Sequence, residues 1–223
     1  MKKSVKFPIL LQRLSSATAV LVAILVAGPL QAEMTPEVEA LQQRWAEVNY
    51  MTKGETQVEA FTTLIEDARQ VTGAQQGSAE AWIWSGIIKS SYAGAKGGLG
   101  ALSSAKAAKA DLEKAMELDA DAMLGSAYTS LGVLYLNVPG WPVGFGDEEK
   151  GEELLLKGLE ISPEGIDSNY FYAEHLFKAD KYAEAQRYLM RALNAPSRPG
   201  RELADQGRRG EIELMLQQID DTL

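Results

Sequence analysis

The stretch NYFYAEHLFKADKYAEAQRYLMRALNAP, residues 169–196, carries the clearest structural signal in the chain. Apolar residues recur three and four positions apart on both sides of Ala179-Asp180-Lys181, which is the spacing of two amphipathic helices joined by a turn. Ala173 and Ala185 lie 12 positions apart, one on each side of that turn. Because a short connection makes consecutive helices antiparallel neighbours, we expect a helix pair whose small residues allow close approach.

Helical spacing continues through almost all of the chain after Glu33. No run alternates with a period of two for long enough to predict a strand, so the expected fold is all-α with about nine helices. Thr35 is the expected N-cap of the first helix, and Pro36 its first residue. The predicted helices lie near 36–50, 55–72, 78–93, 102–118, 122–137, 147–161, 166–179, 182–194 and 200–221.

The first 32 residues have the composition of a secretory signal peptide. Their charged residues are all basic: Lys2, Lys3, Lys6 and Arg13. The apolar run that follows, at 17–27, has 11 residues, whereas a transmembrane helix needs about 20. Cleavage after Ala32 would leave 33–223 as a single periplasmic domain with no integral membrane span. An uncleaved membrane anchor is the alternative.

The order of small residues in the quoted stretch returns twice earlier in the chain. Three repeat-like units result, at about 80–120, 125–163 and 166–196. In each unit one small residue lies on the first helix and two lie on the second. These residues are Gly86, Ala108 and Ala115; Gly132, Gly151 and Gly158; and Ala173, Ala185 and Ala192.

This pattern resembles the tetratricopeptide repeat (TPR), in which small residues let two antiparallel helices approach. The resemblance implies a superhelix of helix pairs, with 35–75 as a further degenerate pair and 200–221 as a capping helix. The first-helix small residues are 46 and 41 positions apart, whereas a plain repeat has roughly 34 residues. We therefore expect two Gly-rich insertions between paired helices, AGAKGGLGAL at 93–102 and NVPGWPVGFG at 137–146. The layout is also similar to the TPR subunit associated with TRAP transporters.

Composition excludes several classes of function. With 31 Asp and Glu against 22 Lys and Arg, the formal net charge is −9, which argues against a nucleic-acid partner. The chain has no Cys and one His, so thiolate metal sites, disulfides and multi-histidine centres are excluded. The Gly-rich segment lacks the GxxxxGK(S/T) signature and the third Gly of a dinucleotide fingerprint. We therefore expect no cofactor, no metal and no catalytic activity, and a structural role for His175.

In TPR proteins the first helix of each unit lines a concave groove, and the resemblance carries that role to this chain. The implied lining is mostly apolar, which suits a peptide segment. It consists of Ile83, Ile87, Thr129, Val133, Leu136, Asn137, Tyr170, Glu174 and Phe177. Trp141 and Phe145 in the second insertion have two interpretations: they plug a gap that the long connection opens, or they form a lip over a ligand groove.

Arginine is concentrated near the end of the chain, at Arg198, Arg201, Arg208 and Arg209. One interpretation is pairing on a helix surface between residues four positions apart. The pairs would be Arg201–Asp205, Asp205–Arg209 and Arg209–Glu213. The other interpretation is a basic dock for an acidic partner or a phospholipid head group.

Two functions of different class fit these features. The leading prediction is an exported, non-enzymatic scaffold that binds an unidentified protein or peptide segment in a largely apolar groove. The alternative is a periplasmic carrier of a small ligand, or a transporter-associated binding protein, in which the 138–146 loop roofs a pocket. An open groove wide enough for a strand favours the scaffold, and an enclosed cavity under that loop favours the carrier.

Overall fold

Nine helices follow one another along the part of the chain that the computed structural model describes, which is Met1 and residues 34–222. Residues 34–222 contain no β-strand apart from a single bridge between Gly140 and Gly146. The predicted all-α fold is confirmed there, whereas the predicted signal peptide lies outside the described residues. The helices are α1 (Pro36–Met51), α2 (Gly54–Ala74), α3 (Ala79–Lys96), α4 (Gly98–Leu118), α5 (Ala122–Asn137), α6 (Glu148–Ile161), α7 (Ile166–Lys178), α8 (Tyr182–Leu193) and α9 (Glu202–Asp220).

Side-chain caps explain where several helices begin. The Thr35 hydroxyl accepts a hydrogen bond from the Val38 amide at 3.4 Å, and Pro36 follows it as the first helical residue, as predicted. Asp147 caps α6 in the same way, through the Lys150 amide at 3.0 Å. Each cap satisfies an amide that has no partner inside its own helix.

Consecutive helices pack side by side. Two hydrogen bonds show that α1 and α2 are antiparallel. At one end of α1, Gln75 Nε2 of the α2 C-cap donates to Thr35 Oγ1 at 3.0 Å. At the other end, Gln57 Nε2 donates to the Val48 carbonyl at 3.0 Å. Each odd-numbered helix also contacts the next odd-numbered helix, and α1 contacts α9. The odd-numbered helices therefore form one layer, and each even-numbered helix packs against its two neighbours in the chain.

Glycine and alanine permit the closest of these approaches. A Cβ atom on Gly86 would lie 2.6 Å from Leu112 Cγ, and one on Gly132 would lie 2.9 Å from the Gly151 carbonyl oxygen. Ala173 in α7 has no exposed surface. Larger residues at these positions would force the paired helices apart.

The prediction of a first insertion between paired helices, at 93–102, is wrong. Residues 93–102 belong almost entirely to helices, because α3 continues to Lys96 and α4 begins at Gly98. Gly97 and Gly98 have φ values of 61° and 64°, so the chain reverses within two residues, in a conformation that glycine adopts without a Cβ clash. The additional residues lengthen both helices, whereas the second predicted insertion, 137–146, lies almost entirely in a true loop at 138–147.

None of the helices in 34–222 combines the length and the apolar character that crossing a bilayer requires.

Candidate functional site

The connection between α5 and α6, residues 138–147, has a defined shape and is called the α5–α6 loop here. The Gly146 amide donates to the Pro139 carbonyl at 3.0 Å, and the Val143 amide donates to the Gly140 carbonyl at 3.1 Å. A Cβ atom on Gly146 would lie 1.8 Å from a backbone oxygen, so only glycine fits there. The loop is therefore fixed by its own backbone.

The two aromatic residues of this loop face different surroundings. Phe145 is half-buried, and its ring packs edge-on against Tyr135 of α5 with 5.4 Å between centroids. The Lys109 ammonium lies 5.8 Å from the Phe145 ring. Trp141 is 90% exposed. The interpretation as a plug therefore applies to Phe145 and not to Trp141, which fills no gap among residues 34–222.

A cleft of about 350 Å³ lies between the end of α5, the α5–α6 loop and α7, and is called the α5–α7 cleft. Its apolar lining comes from Val133, Leu136 and Phe171. Gly140, the residue before Trp141, also lines it. The backbone next to Trp141 thus lies at the edge of the cleft, in a loop that backbone hydrogen bonds hold in place.

Polar groups bridge the mouth of the α5–α7 cleft. Lys178 Nζ donates to Asn137 Oδ1 at 3.0 Å and lies 3.1 Å from Glu174 Oε1, so it links α5 to α7. Asp147 and Glu148 line the cleft from the start of α6. Three carboxylates and one ammonium group therefore line the cleft, which carries an excess of negative charge.

His175 lines the same cleft and is 8% exposed. Its Nε2 atom lies 3.8 Å from Glu152 Oε1, which is beyond hydrogen-bond distance. No residue in 34–222 forms a hydrogen bond with the imidazole ring. Both ring nitrogens are therefore without a hydrogen-bond partner among the described residues. The sequence predicted a structural role for His175 and did not predict that Glu152 lies beside it.

The structure brings four of the predicted groove residues together in the cleft: Val133, Leu136, Asn137 and Glu174. Ile83, Thr129 and Tyr170 are buried and line no open groove. Ile87 and Phe177 are half-buried and pack against core clusters. The last helix, α9, packs against α1, α7 and α8.

A second, more open groove of about 800 Å³ lies between α4, α5 and α6. Tyr128, Leu131 and Tyr135 contribute apolar surface to it. The charged residues of α6 at its edge pair within that helix, as Lys150–Glu153 and Lys157–Glu160 do at 2.8 Å. Pairs of this exposed kind contribute little energy. With Glu113 and Glu117 from α4, four carboxylates and two ammonium groups line this groove.

The C-terminal arginines have partners that sequence spacing did not predict. Asp167 Oδ2 accepts from Arg198 Nη1 at 2.7 Å, and Asp167 Oδ1 accepts from Arg208 Nε at 3.0 Å. Asp205 pairs with Arg198 at 2.6 Å, so the predicted Arg201–Asp205 and Asp205–Arg209 pairs are wrong. Arg209 instead donates to the Ala195 carbonyl at 2.7 Å, and its predicted pair with Glu213 is not formed.

Burial and neighbouring charges shift pKa values in the cluster that Asp167 forms with Arg198, Arg201 and Arg208. Burial would raise the pKa of Asp167, but Arg208, Arg198 and Arg201 outweigh it and hold that pKa well below its ordinary value. The Arg208 guanidinium also lies 4.2 Å from the centre of the Tyr170 ring. Burial raises the pKa of the neighbouring Tyr50 to about 12, against the charge of Arg208. Arg208 is 7% exposed, and it therefore serves an internal ion pair.

Arg201 completes the cluster through Trp84 of α3. Its guanidinium lies 5.5 Å from the Trp84 ring, and Nη1 lies 3.9 Å from Asp167 Oδ2. Burial lowers the pKa of Arg201, since only 15% of its side chain is exposed. Arg198, Arg201 and Arg208 thus join α9 to α7 and α3, which accounts for three of the four residues considered for a basic dock.

Within residues 34–222, no three His, Cys, Asp or Glu side chains are grouped as a metal ion requires. The groups of the α5–α7 cleft can hold a ligand through hydrogen bonds, charge and apolar contact. Of these, Asn137 and Glu174 were predicted from the sequence, whereas Lys178 and His175 were not assigned to the site.

A scan against protein-family models finds no match, and a search of curated proteins finds no significant match. What the chain does must therefore be inferred from its own residues. The α5–α7 cleft and the exposed Trp141 are, with the second groove, features that internal packing does not explain.

Proposed function

We propose that this chain is an exported, TPR-like binding protein without chemistry of its own, and that it holds a protein or peptide segment at the α5–α7 cleft and Trp141. The exposure of Trp141 is the observation that carries the proposal: 90% of the residue faces solvent on a loop fixed by backbone hydrogen bonds. A rigid, exposed aromatic residue binds a partner at low entropic cost, and tryptophan is enriched among interface hot spots.

The helix contacts support the TPR-like part of the proposal. The small residues of each proposed unit lie where paired helices approach most closely, as at Gly86 and Gly132. Contacts between successive odd-numbered helices fit a layer of first helices, and α9 fits the capping role. Such arrays commonly serve as binding surfaces, which supports binding over catalysis.

Export rests on the sequence. A basic start, a short apolar run and small residues before Glu33 are the features of a cleavable signal peptide. We propose that cleavage after Ala32 releases residues 33–223 into the periplasm.

Photo-crosslinking tests the site directly. A photoreactive phenylalanine analogue replaces Trp141 in cells, and the same analogue replaces Leu214, which is 57% exposed on α9, in a matched control. We expect discrete protein adducts from position 141 and none from position 214 after irradiation and mass spectrometry. Identical adducts from both positions, or none from position 141, would contradict a partner site at the loop.

A small-ligand carrier is the second candidate, because about 350 Å³ lies within the range of small-molecule sites. Native mass spectrometry of protein purified from periplasm distinguishes the two. A retained small molecule that is lost on Phe171→Ala, together with no crosslinked protein, would favour the carrier.

A further inference from the structure

The carboxylates of the α5–α7 cleft are not equally available to a ligand. Asp147 Oδ1 accepts from the Lys150 amide and serves as the cap of α6. Glu148 is exposed, and 27% of the Glu174 side chain is exposed at the cleft mouth. Glu148 and Glu174 are therefore the acidic groups that remain to meet a ligand.

Lys178 shows which kind of group this cleft accepts. Its ammonium group lies 3.1 Å from the Glu174 carboxylate and donates to the side-chain carbonyl oxygen of Asn137 at 3.0 Å. Lys178 remains 52% exposed, so its long side chain can leave without disturbing the core. An ammonium or guanidinium group from outside would find the same two oxygen atoms in place.

His175 gives an independent indication of where a ligand would bond. More than nine-tenths of its side chain is buried, and its ring lines the cleft with no hydrogen bond from residues 34–222. The ring nitrogens are therefore free to form a hydrogen bond with a polar group that enters the cleft. A peptide group entering the cleft would be such a polar group.

We propose that the segment held at this site presents a lysine or arginine side chain to Glu174 and Asn137, and an adjacent apolar residue to Trp141. This inference rests on the proposed function and states the chemistry of the partner. Charge selects a basic segment: the cleft has an excess of carboxylates, and charge-assisted hydrogen bonds are among the stronger polar contacts. A protein segment suits both the carboxylates and Trp141, because it joins a cationic side chain to an apolar side chain and also carries backbone amides.

The same charges disfavour other occupants. Phosphate groups of lipids or nucleic acids would meet Glu148 and Glu174 with like charge, which costs binding energy. A free polyamine could occupy the acidic half of the site, but it has no large apolar group for Trp141. Binding of a polyamine is therefore one outcome that the experiment must distinguish.

The experiment is a selection of random peptides displayed on phage against the purified protein, followed by calorimetry with the synthetic peptides enriched most. Trp141→Ala protein serves as the counter-selection. Four variants are then titrated: Glu174→Gln and Lys178→Gln at the cleft, and Glu117→Gln and Lys114→Gln as a matched exposed pair on α4, 3.0 Å apart. Circular dichroism and thermal melting check that each variant is folded.

We expect the enriched peptides to contain Lys or Arg within a few positions of a large apolar residue. Glu174→Gln should weaken their binding about tenfold, which is the size expected for a half-buried charge-assisted hydrogen bond. Lys178→Gln should tighten binding, because it removes the ammonium group that competes for Glu174 and Asn137. Both α4 variants should bind as the unchanged protein does. A merely structural role of the Glu174–Lys178 pair would weaken binding in both cleft variants alike.

The failures are distinguishable. If enriched peptides bind the unchanged protein but not Trp141→Ala, lack basic residues and ignore Glu174→Gln, the proposed function stands and this inference is wrong. If no peptide is enriched over the counter-selection, the proposed function fails and the inference fails with it. If spermidine binds in a Glu174-dependent way and no peptide does, the occupant is a small amine and the protein-segment proposal is overturned.

Discussion

Asp167 and Arg208 are 41 residues apart in the chain, and Arg208 Nε donates to Asp167 Oδ1 at 3.0 Å. This hydrogen bond joins the first turn of α7 to the middle of α9. Arg198 binds the second oxygen of the same carboxylate at 2.7 Å. The last helix is therefore attached to the array by buried charge as well as by apolar packing.

Removing the Arg208 side chain should destabilise the whole array. Arg208→Ala leaves Asp167 with fewer partners and removes the cation from the Tyr170 ring, so we expect a loss of about 3 kcal/mol in the free energy of unfolding. Urea denaturation measures it. Arg187→Ala is the control, because Arg187 and Glu184 are exposed and 3.9 Å apart, and it should cost less than about 0.5 kcal/mol. Equal losses in both variants would show that the Asp167–Arg208 contact stabilises the fold no more than the exposed Arg187–Glu184 pair does.

The lowered pKa of Asp167 predicts a pH dependence of stability. A carboxyl whose pKa is lower in the folded state stabilises the fold above its unfolded pKa, about 3.9, and loses that contribution as pH falls toward the folded value. The free energy of unfolding of the unchanged protein should therefore exceed that of Asp167→Asn by a constant amount between about pH 5 and pH 8. The difference should shrink below about pH 4. A difference independent of pH down to the acid transition would contradict this assignment.

Two glycines in helices should respond oppositely to alanine. On Gly132 a Cβ atom would lie 2.9 Å from the Gly151 carbonyl oxygen, so Gly132→Ala should cost about 1–3 kcal/mol. Gly210 in α9 has no atom within 4 Å of that position, so Gly210→Ala should stabilise the helix by up to about 1 kcal/mol. Chemical denaturation of both variants compares them. A destabilised Gly210→Ala protein with an unaffected Gly132→Ala protein would refute the close contact between α5 and α6.

The two aromatic residues of the α5–α6 loop should separate stability from binding. Trp141→Ala should change the free energy of unfolding by less than about 0.5 kcal/mol, since its ring faces solvent. Phe145→Ala should cost about 2 kcal/mol, because its ring packs on Tyr135. Thermal melting of the two variants is the measurement. If Trp141→Ala melts as early as Phe145→Ala, Trp141 supports the fold instead of a partner.

Export has a direct test. Cell fractionation should place the protein in the periplasm, and Edman sequencing of the purified protein should begin near Glu33. A protein that remains in the cytosol at full length would refute the signal peptide.

Helix content followed from local pattern, because the interactions that define a helix act between residues three and four positions apart. That spacing predicted the nine helices of residues 34–222, and Thr35 was recognisable as a cap from residue type and position. The Gly-rich run at 93–102 was misassigned as a loop. Composition alone did not show that a turn at Gly97 and Gly98 is enough to reverse the chain.

The candidate site was predictable only in part. Asn137 and Glu174 followed from the repeat pattern, which carries first-helix positions into the site. Lys178 and His175 entered it only through the way α7 packs beside α5 and the loop. Asp167 resembled an ordinary charge at a helix start, and its arginine partners lie 31 and 41 residues away. The sequence by itself determined the helices and their order, because local spacing encodes both. Only the tertiary structure decided which charged side chains lie together. Their pairing depends on how helices distant in the chain stack, and the periodicity within one helix does not encode that stacking.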